Sequence, residues 1–465
     1  MRARTVPLVA AALLSCGCAT IPRYSRPPAP VPDAWPESAA ATGGEAAPAA
    51  AEVGWREFFT DARLRSVIEL ALANNRDLRV ASLNAERVQA LYRIQRGEMY
   101  PGVGVMASGE VYRLPENMAE GGDAEIVEQH SVRVGVASWE PDFFGRIRSL
   151  RASALEQYLA TEQARVAGRI SLVAGTAGAW LVLAADLEGL RLARSTLETQ
   201  RSTLDLIRAS RDVGMTSDLD LSQAESQVEA ARAAVVRLEG LVAVDRNALD
   251  LLVGAAVAED LLPDGLGPVT VSRGVSPGLP SEVLLRRPDI LLAEHRLKAA
   301  NANIGAARAA FFPRVTLTAG AGTLSRELSD LFSSGTRTWT FAPSIVAPIF
   351  AGGSLRANLK ASRVEREIAV AEYEKAIQKA FAEVSDALTL RKALAAQREA
   401  EESLVRALED TFRLSEARYR GGLDGYLGVL IAQRSLFAAQ QAIVGVRLAE
   451  QVNLVTLYKV LGGGA

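Results

Sequence analysis

The chain repeats itself. Residues 77–109 and 289–321 align without a gap at an offset of 212, with Asp77/Asp289, Ala81/Ala293, Ala90/Ala302, Arg96/Arg308, Pro101/Pro313, Val103/Val315 and Ala107/Ala319 in register. In each copy a helical pattern meets a proline and then alternates as a strand does. A second offset, 208, relates Gly145/Gly353, Arg148/Arg356, Gly214/Gly422, Leu219/Leu427 and Gly254/Gly462. The halves run roughly from 64 to 254 and from 281 to 462. A duplicated helix-and-strand unit restricts the chain to folds that stack or ring equivalent units around a shared core.

The helical parts are written in heptads. Leu221, Ala224, Val228, Ala231, Val235, Leu238, Val242, Leu249 and Leu252 follow 3-4 spacing that is interrupted at Asp245. The second half repeats the phase with Val429, Ala432, Leu436, Ala439, Ile443, Val446, Leu457 and Val460. Sustained spacing of this kind predicts coiled-coil-like packing, and alanine at alternate positions lets backbones approach closely. The segments 145–211 and 355–419 contain no proline and predict helices of about 100 Å each at 1.5 Å per residue. Shorter helices are predicted over 64–99, 217–253, 281–310 and 424–461. Stacked in pairs, two short helices nearly match one long one, as in a tall cylinder.

Four stretches alternate with period two. They are Val103, Val105, Ala107, Gly109, Val111; then Val132, Val134, Val136; then Val315, Leu317, Ala319, Ala321; then Trp339, Phe341, Pro343, Ile345. Each is about ten residues long, enough for a tilted strand to cross a bilayer. Trp139 and Trp339 sit where an interfacial aromatic girdle would lie. Four strands cannot close a barrel, and open edges are not tolerated in lipid, so membrane strands here require several chains. Three chains supply twelve strands and a lumen wide enough for water; two supply eight, nearly filled by side chains.

Arg2 and Arg4 precede an apolar run too short to span a bilayer, which ends in Ser15-Cys16-Gly17-Cys18. This is a secretory signal closing on a lipobox-like sequence. The chain's 2 cysteines lie too close together for an ordinary disulfide, so one is an acylation site. Leu13-Leu14-Ser15 favours Cys16, whereas Gly17 favours Cys18. Residues 27–51, rich in Pro, Ala and Gly, read as a tether. A net charge of −2 argues against nucleic acid as a partner. No phosphate-binding loop, metal-ligand cluster or catalytic constellation stands out, and His130 and His295 read as packing or surface residues. No run of eighteen apolar residues follows the signal, so no membrane-spanning helix is expected.

Trp55-Arg-Glu-Phe-Phe, Asn75-Arg-Asp-Leu-Arg, Trp139-Glu-Pro-Asp-Phe-Phe-Gly-Arg, Gly278-Leu-Pro-Ser, Arg286-Arg-Pro-Asp-Ile, the run from Ala302 to Pro313 and the run from Leu454 to Gly463 resemble the outer-membrane factors of tripartite efflux pumps. These are the TolC family, and the likeness is to its lipoprotein branch, typified by OprM. The resemblance implies a mainly α fold with a membrane β part, in which three chains form one α-barrel/β-barrel duct. It implies an equatorial belt from 180–210, 255–280, 385–410 and the terminal segments. It assigns 1–17 to a lipoprotein signal peptide and 18–60 to a lipid-anchored tether. Helical parts then cover 61–100 and 281–312, barrel hairpins 101–142 and 313–350, a linker 255–280, and periplasmic helical hairpins 143–254 and 351–462. It moves the acylation site to Cys18, since Ala19-Thr20-Ile21-Pro22-Arg23-Tyr24 reads like the residues that follow the acylated cysteine in that branch. It implies a homotrimer in outer-membrane lipid, joined by a periplasmic adaptor to an inner-membrane transporter of the resistance-nodulation-division class, with no cofactor beyond the covalent lipid. The chain would be a passive duct, not an enzyme.

Such a duct needs a gate, and the helix turns 213–220 and 418–427 are the natural place. The resemblance implies that Asp220 and Tyr419 hold an inner helix pair closed and that Leu427 forms a constriction ring. Arg418 and Arg420 flank Tyr419 and are within reach of Asp218, Asp220 or Asp424. Ser217, Asp218 and Asp220 also suit a helix N-terminus, as does Asp424. Where the family often carries a carboxylate, this chain has Ile431, which predicts closure by apolar packing at Leu427 and Ile431. Rival readings are a type I protein-secretion duct on the same fold, a non-porous lipid-anchored coiled coil, and a periplasmic adaptor, whose lipoyl-like β-domain is not evident here.

Overall fold

The computed structural model describes residues 20–35, 53–119, 121–267 and 284–463. Cys16 and Cys18, the motif at Gly278 and most of the tether lie outside these residues. The elements are α1 (Trp55–Phe58), α2 (Ala62–Asn74), α3 (Arg76–Gly97), β1 (Gly104–Leu114), β2 (Glu125–Trp139), α4 (Arg146–Asp212), α5 (Asp218–Val253), α6 (Pro288–Ala309), β3 (Arg314–Ser325), β4 (Arg337–Val346), α7 (Ser354–Arg420) and α8 (Tyr426–Val460). The two long helices are 67 residues each. Contacts divide the chain into two compact units, one holding 20–28, 84–162 and 292–373, the other the described residues within 29–83, 163–291 and 374–465.

In the first unit β1-β2-β3-β4 form one antiparallel sheet in sequence order. Register puts Val105, Val134, Ala321 and Trp339 in one row on one face. That face continues with Val103, Val111, Val132, Phe341 and Ile345, and Val105, Val134, Trp339, Phe341 and Ile345 are all exposed. The opposite face is small and polar. There Ser108 and Ser131 share a hydrogen bond of 2.8 Å. The alternation expected from sequence therefore resolves into an apolar side and a water-compatible side, as a membrane strand requires. Trp139 pairs with Leu317 and Trp339 with Ala321. Four residues of strand, about 13 Å, separate the two levels.

In the second unit the helix expected over 64–99 is split at Asn75, whose backbone is extended. Its side chain caps α3 by accepting from Leu78 N at 2.8 Å and donates to Leu252 O at 2.8 Å. Leu64, Val67, Ile68 and Ala71 occupy one face of α2 and are fully buried. Asp61 starts that helix by accepting from the backbone N–H groups of Arg63 and Leu64. Tyr458 stacks on Phe58 at 3.9 Å and meets Phe59 edge-on. The heptad seam is real: Ala224, Val228, Ala231, Val235 and Leu238 of α5 bury against Leu190, Ala193, Leu197, Leu204 and Ile207 of α4. At its lower end Val253, rather than Leu252, is buried. Stretches of α4 and α8 are apolar enough by composition to cross a bilayer, but 56% of the α4 window is buried inside the chain. Its apolarity is used in helix packing.

The interruption at Asp245 also has a structural meaning. Burial, reinforced by the neighbouring Asp186 carboxyl, pushes Asp245 up to about 6. An unfolded aspartate titrates near 4, so between about 4 and 6 the native state binds more protons. The favourable contribution is fully present below that window and is lost as pH rises through about 6. Asp245→Asn keeps a polar contact to Asp186 without the charge. Its melting temperature in detergent should exceed the parent's at pH 7.5, and the difference should vanish below about pH 4.

Candidate functional site

The two helical hairpins turn with the same backbone device. At the first turn Gly214 N–H donates to Arg211 O and Met215 N–H to Ser210 O, each at 2.8 Å. At the second, Gly422 N–H donates to Tyr419 O at 2.9 Å and Leu423 N–H to Arg418 O at 3.0 Å. These are Schellman motifs 208 residues apart, and each needs a left-handed residue. Gly214 (φ 78°) and Gly422 (φ 70°) supply it.

The charged residues sort differently from the expectation. Asp220 is tied into the start of α5: Ser217 Oγ donates to Asp220 Oδ2 at 2.7 Å, and Asp220 N–H donates back to Ser217 Oγ at 3.2 Å. This is a capping box. Asp218 faces Arg211 across the turn at 3.0 Å. Asp424 does not cap α8. Gly425 holds that position without a side-chain cap, and Asp424 turns back to receive both arms of Arg418, with Nη2 at 3.0 Å. The Arg418 guanidinium holds the Asp424 carboxyl below the usual carboxylate range. Arg420 reaches none of the three aspartates; Glu416, one helical turn back, takes it at 2.8 Å. Both turns are thus closed by an internal arginine–aspartate pair.

Tyr419 lies over the apolar cluster beneath the turns. Burial pushes its phenol up, and the Asp220 charge adds to this. No hydrogen bond joins Tyr419 to Asp220 among the described residues. Its ring meets Tyr426 instead, at 5.5 Å and 59°. Leu427 (54% exposed) and Ile431 (56%) stand one turn apart on the opposite, uncovered face of α8. Val213, Met215, Leu219 and Leu423 are also exposed at the turns.

Tyr426 is the residue that sequence reading passed over. It is 1% exposed and packs with Val429, Leu430, Ile207 and Val228. Its place three residues before Val429 was the available signal, since that continues the heptad seam backwards. Burial, then Tyr419 and Asp220, push its phenol up to about 12. Among the described residues the hydroxyl has no hydrogen-bond partner. A buried, unpaired hydroxyl costs stability, so Tyr426→Phe should be neutral or stabilise by about 1 kcal/mol. Tyr426→Ala should cost about 3–5 kcal/mol by leaving a cavity. Denaturant unfolding of the detergent-solubilised protein measures both.

The outer membrane efflux protein family matches residues 67–255 and 279–463, one segment for each half of the internal repeat. The chain is 48% identical over 458 residues to the probable efflux pump outer membrane protein TtgC of Pseudomonas putida, covering 98% of this chain and 95% of that protein. It is 42% identical over 454 residues to outer membrane protein OprJ of Pseudomonas aeruginosa, covering 97% and 94%. Its fold matches the open-state MtrE outer membrane channel of Neisseria gonorrhoeae with a TM-score of 0.88 at 37% identity, over 96% of this chain and 98% of that one.

Proposed function

The chain belongs to the outer membrane efflux protein family, and from that premise we propose that three copies of it form one passive, gated duct for small molecules. It is an outer-membrane channel component of an efflux system and acts with adaptor and inner-membrane transporter partners. The finer reading names a resistance-nodulation-division transporter as the source of energy and places a covalent lipid on Cys18. Catalysis has no part in the reading: the work asked of the chain is to enclose a water-filled path and to shut it.

One observation carries the proposal. The four-stranded sheet has an apolar face, a polar face and two unpaired edges, β1 and β4. Backbone groups at such edges go unsatisfied in lipid unless another copy pairs with them. Three copies supply twelve strands, enough for an aqueous lumen. The exposed face of α8 with Leu427 and Ile431 suits a constriction in which equivalent residues from three chains meet. In the resting state the Arg418–Asp424 pair keeps the second turn folded back on its own helix, and the Arg211–Asp218 pair does the same for the first.

Purified protein in planar bilayers should conduct ions through trimers. A membrane that stays silent with correctly folded trimers would reduce the chain to a spacer. Arg418→Asp should make cells more permeable to a large antibiotic that the outer membrane excludes. Combining it with Asp424→Arg should restore the barrier, because the pair is re-formed with its charges exchanged. Uptake that is equal in the single and double variants would show that the pair plays no part in closure.

A further inference from the structure

The first unit contains a cavity of about 610 Å³ at the junction between helices and strands. Its size falls within the roughly 300–1,000 Å³ of ordinary ligand sites. Its walls are mostly apolar. Phe144 and Phe312 stack at 5.0 Å and 10°, and Pro141, Pro313, Val315 and Val346 continue the surface. Both arginines that line it are already engaged. Glu140 accepts from Arg146 Nη2 at 2.7 Å and from Arg314 Nε at 2.6 Å. Both are tied to one carboxylate, and the mostly apolar walls suit an uncharged hydrocarbon better than an anionic headgroup.

The N-terminal segment is led to this wall by a series of side chains on one face of α6. Glu294, with its side chain 4% exposed, accepts from Arg26 at 2.7 Å and 3.1 Å and from Tyr24 Oη at 3.1 Å. Burial would raise this carboxyl, but Arg26 and Lys298 hold it below its usual range. One turn on, Lys298 lies over the Tyr24 ring at 5.3 Å. Asn301 Nδ2 donates to Pro22 O at 2.8 Å. At Gly305 a Cβ would fall 2.7 Å from Ile21 Cγ1 and 2.6 Å from Ser149 Oγ, so only glycine admits the strap there. Arg308 donates to Thr20 O at 3.3 Å, and buried Thr20 donates through Oγ1 to Phe144 O at 3.3 Å. Positions 294, 298, 301, 305 and 308 form a single stripe, and the strap runs along it antiparallel to α6. It therefore delivers the chain's upstream end to Phe144.

We propose that this cavity receives acyl chain carried by Cys18, so that the N-terminal lipid is held partly in the protein rather than wholly in the bilayer. The proposal rests on the acylation reading given above. Two extended residues span at most about 7 Å, so an acyl chain on Cys18 is within reach of the wall that Thr20 touches, whereas four residues, at most about 14 Å, separate Cys16 from Thr20. Hydrocarbon loses nothing by exchanging lipid for an apolar cavity, and its presence there shields Phe144 and Phe312 from water and headgroups. The strap and the lipid then act together: the first aims the chain end, and the second fills the space at which it is aimed.

The test uses the full chain made in cells fed a fatty acid carrying a terminal diazirine and an alkyne. After irradiation of the membranes, the labelled peptides are mapped by mass spectrometry. Cross-links concentrated on peptides holding Phe144, Phe312 and Val346 are expected, and they should fall several-fold in Ala310→Trp, which fills the cavity. Cross-links spread along the outer sheet face near Val105 and Val134, or confined to phospholipid, would overturn the proposal while leaving acylation intact. Protein that carries no label, or the same label in Cys18→Ala, would overturn the acylation and the proposal with it.

Discussion

Unpaired backbone groups at the two edges of a four-stranded sheet set the terms for the rest of this protein. In lipid each such group costs several kcal/mol, and no side chain of β1 or β4 can relieve a whole edge. In the proposed duct, copies of the chain pair those edges. That assembly explains features that would be liabilities in a monomer. Val105, Trp339, Phe341 and Ile345 are exposed, and long stretches of α8 remain partly uncovered. Apolar surface of this extent on a secreted chain signals surfaces meant for lipid and for neighbouring copies.

The helical hairpins solve a different problem, that of staying long and narrow without disulfides. Small residues such as Ala193, Ala224 and Ala231 let the helices of the first hairpin approach closely, while Leu197, Val228 and Leu238 fill the seam. The same design makes each turn self-contained: a glycine Schellman motif and an arginine–aspartate pair within a few residues. A turn built this way can shift against its surroundings as a body without losing its own hydrogen bonds. That is a useful property for the moving part of a duct. The polar interruption at Asp245 sits in the same seam, where burial and the neighbouring Asp186 carboxyl make Asp245 harder to ionise.

Periodic features were legible because they are local. The alternation of Val103, Val105 and Val132, Val134 gave the strand faces, the 3-4 spacing from Ala224 to Leu238 gave the seam, and the paired glycines gave the equivalence of the two turns. The charged residues of the turns were legible only as a set. Asp218, Asp220 and Asp424 offer the same chemistry in sequence, yet one pairs with Arg211, one forms a capping box and one folds back on Arg418. Arg420 joined Glu416 because a helical neighbour one turn away was nearer than any residue across the turn.

By itself the sequence determined which residues lie on which face and where the chain repeats, since both follow from spacing along the chain. Only the tertiary structure decided which distant groups meet. Glu294 and Arg26 are 268 residues apart and form a close ion pair; Gly305 makes room for Ile21; Phe144 and Phe312 stack over the cavity where the strap arrives. No spacing rule encodes such contacts. They depend on α6, the start of α4 and the N-terminal segment being brought together by a core to which the contacts themselves contribute little.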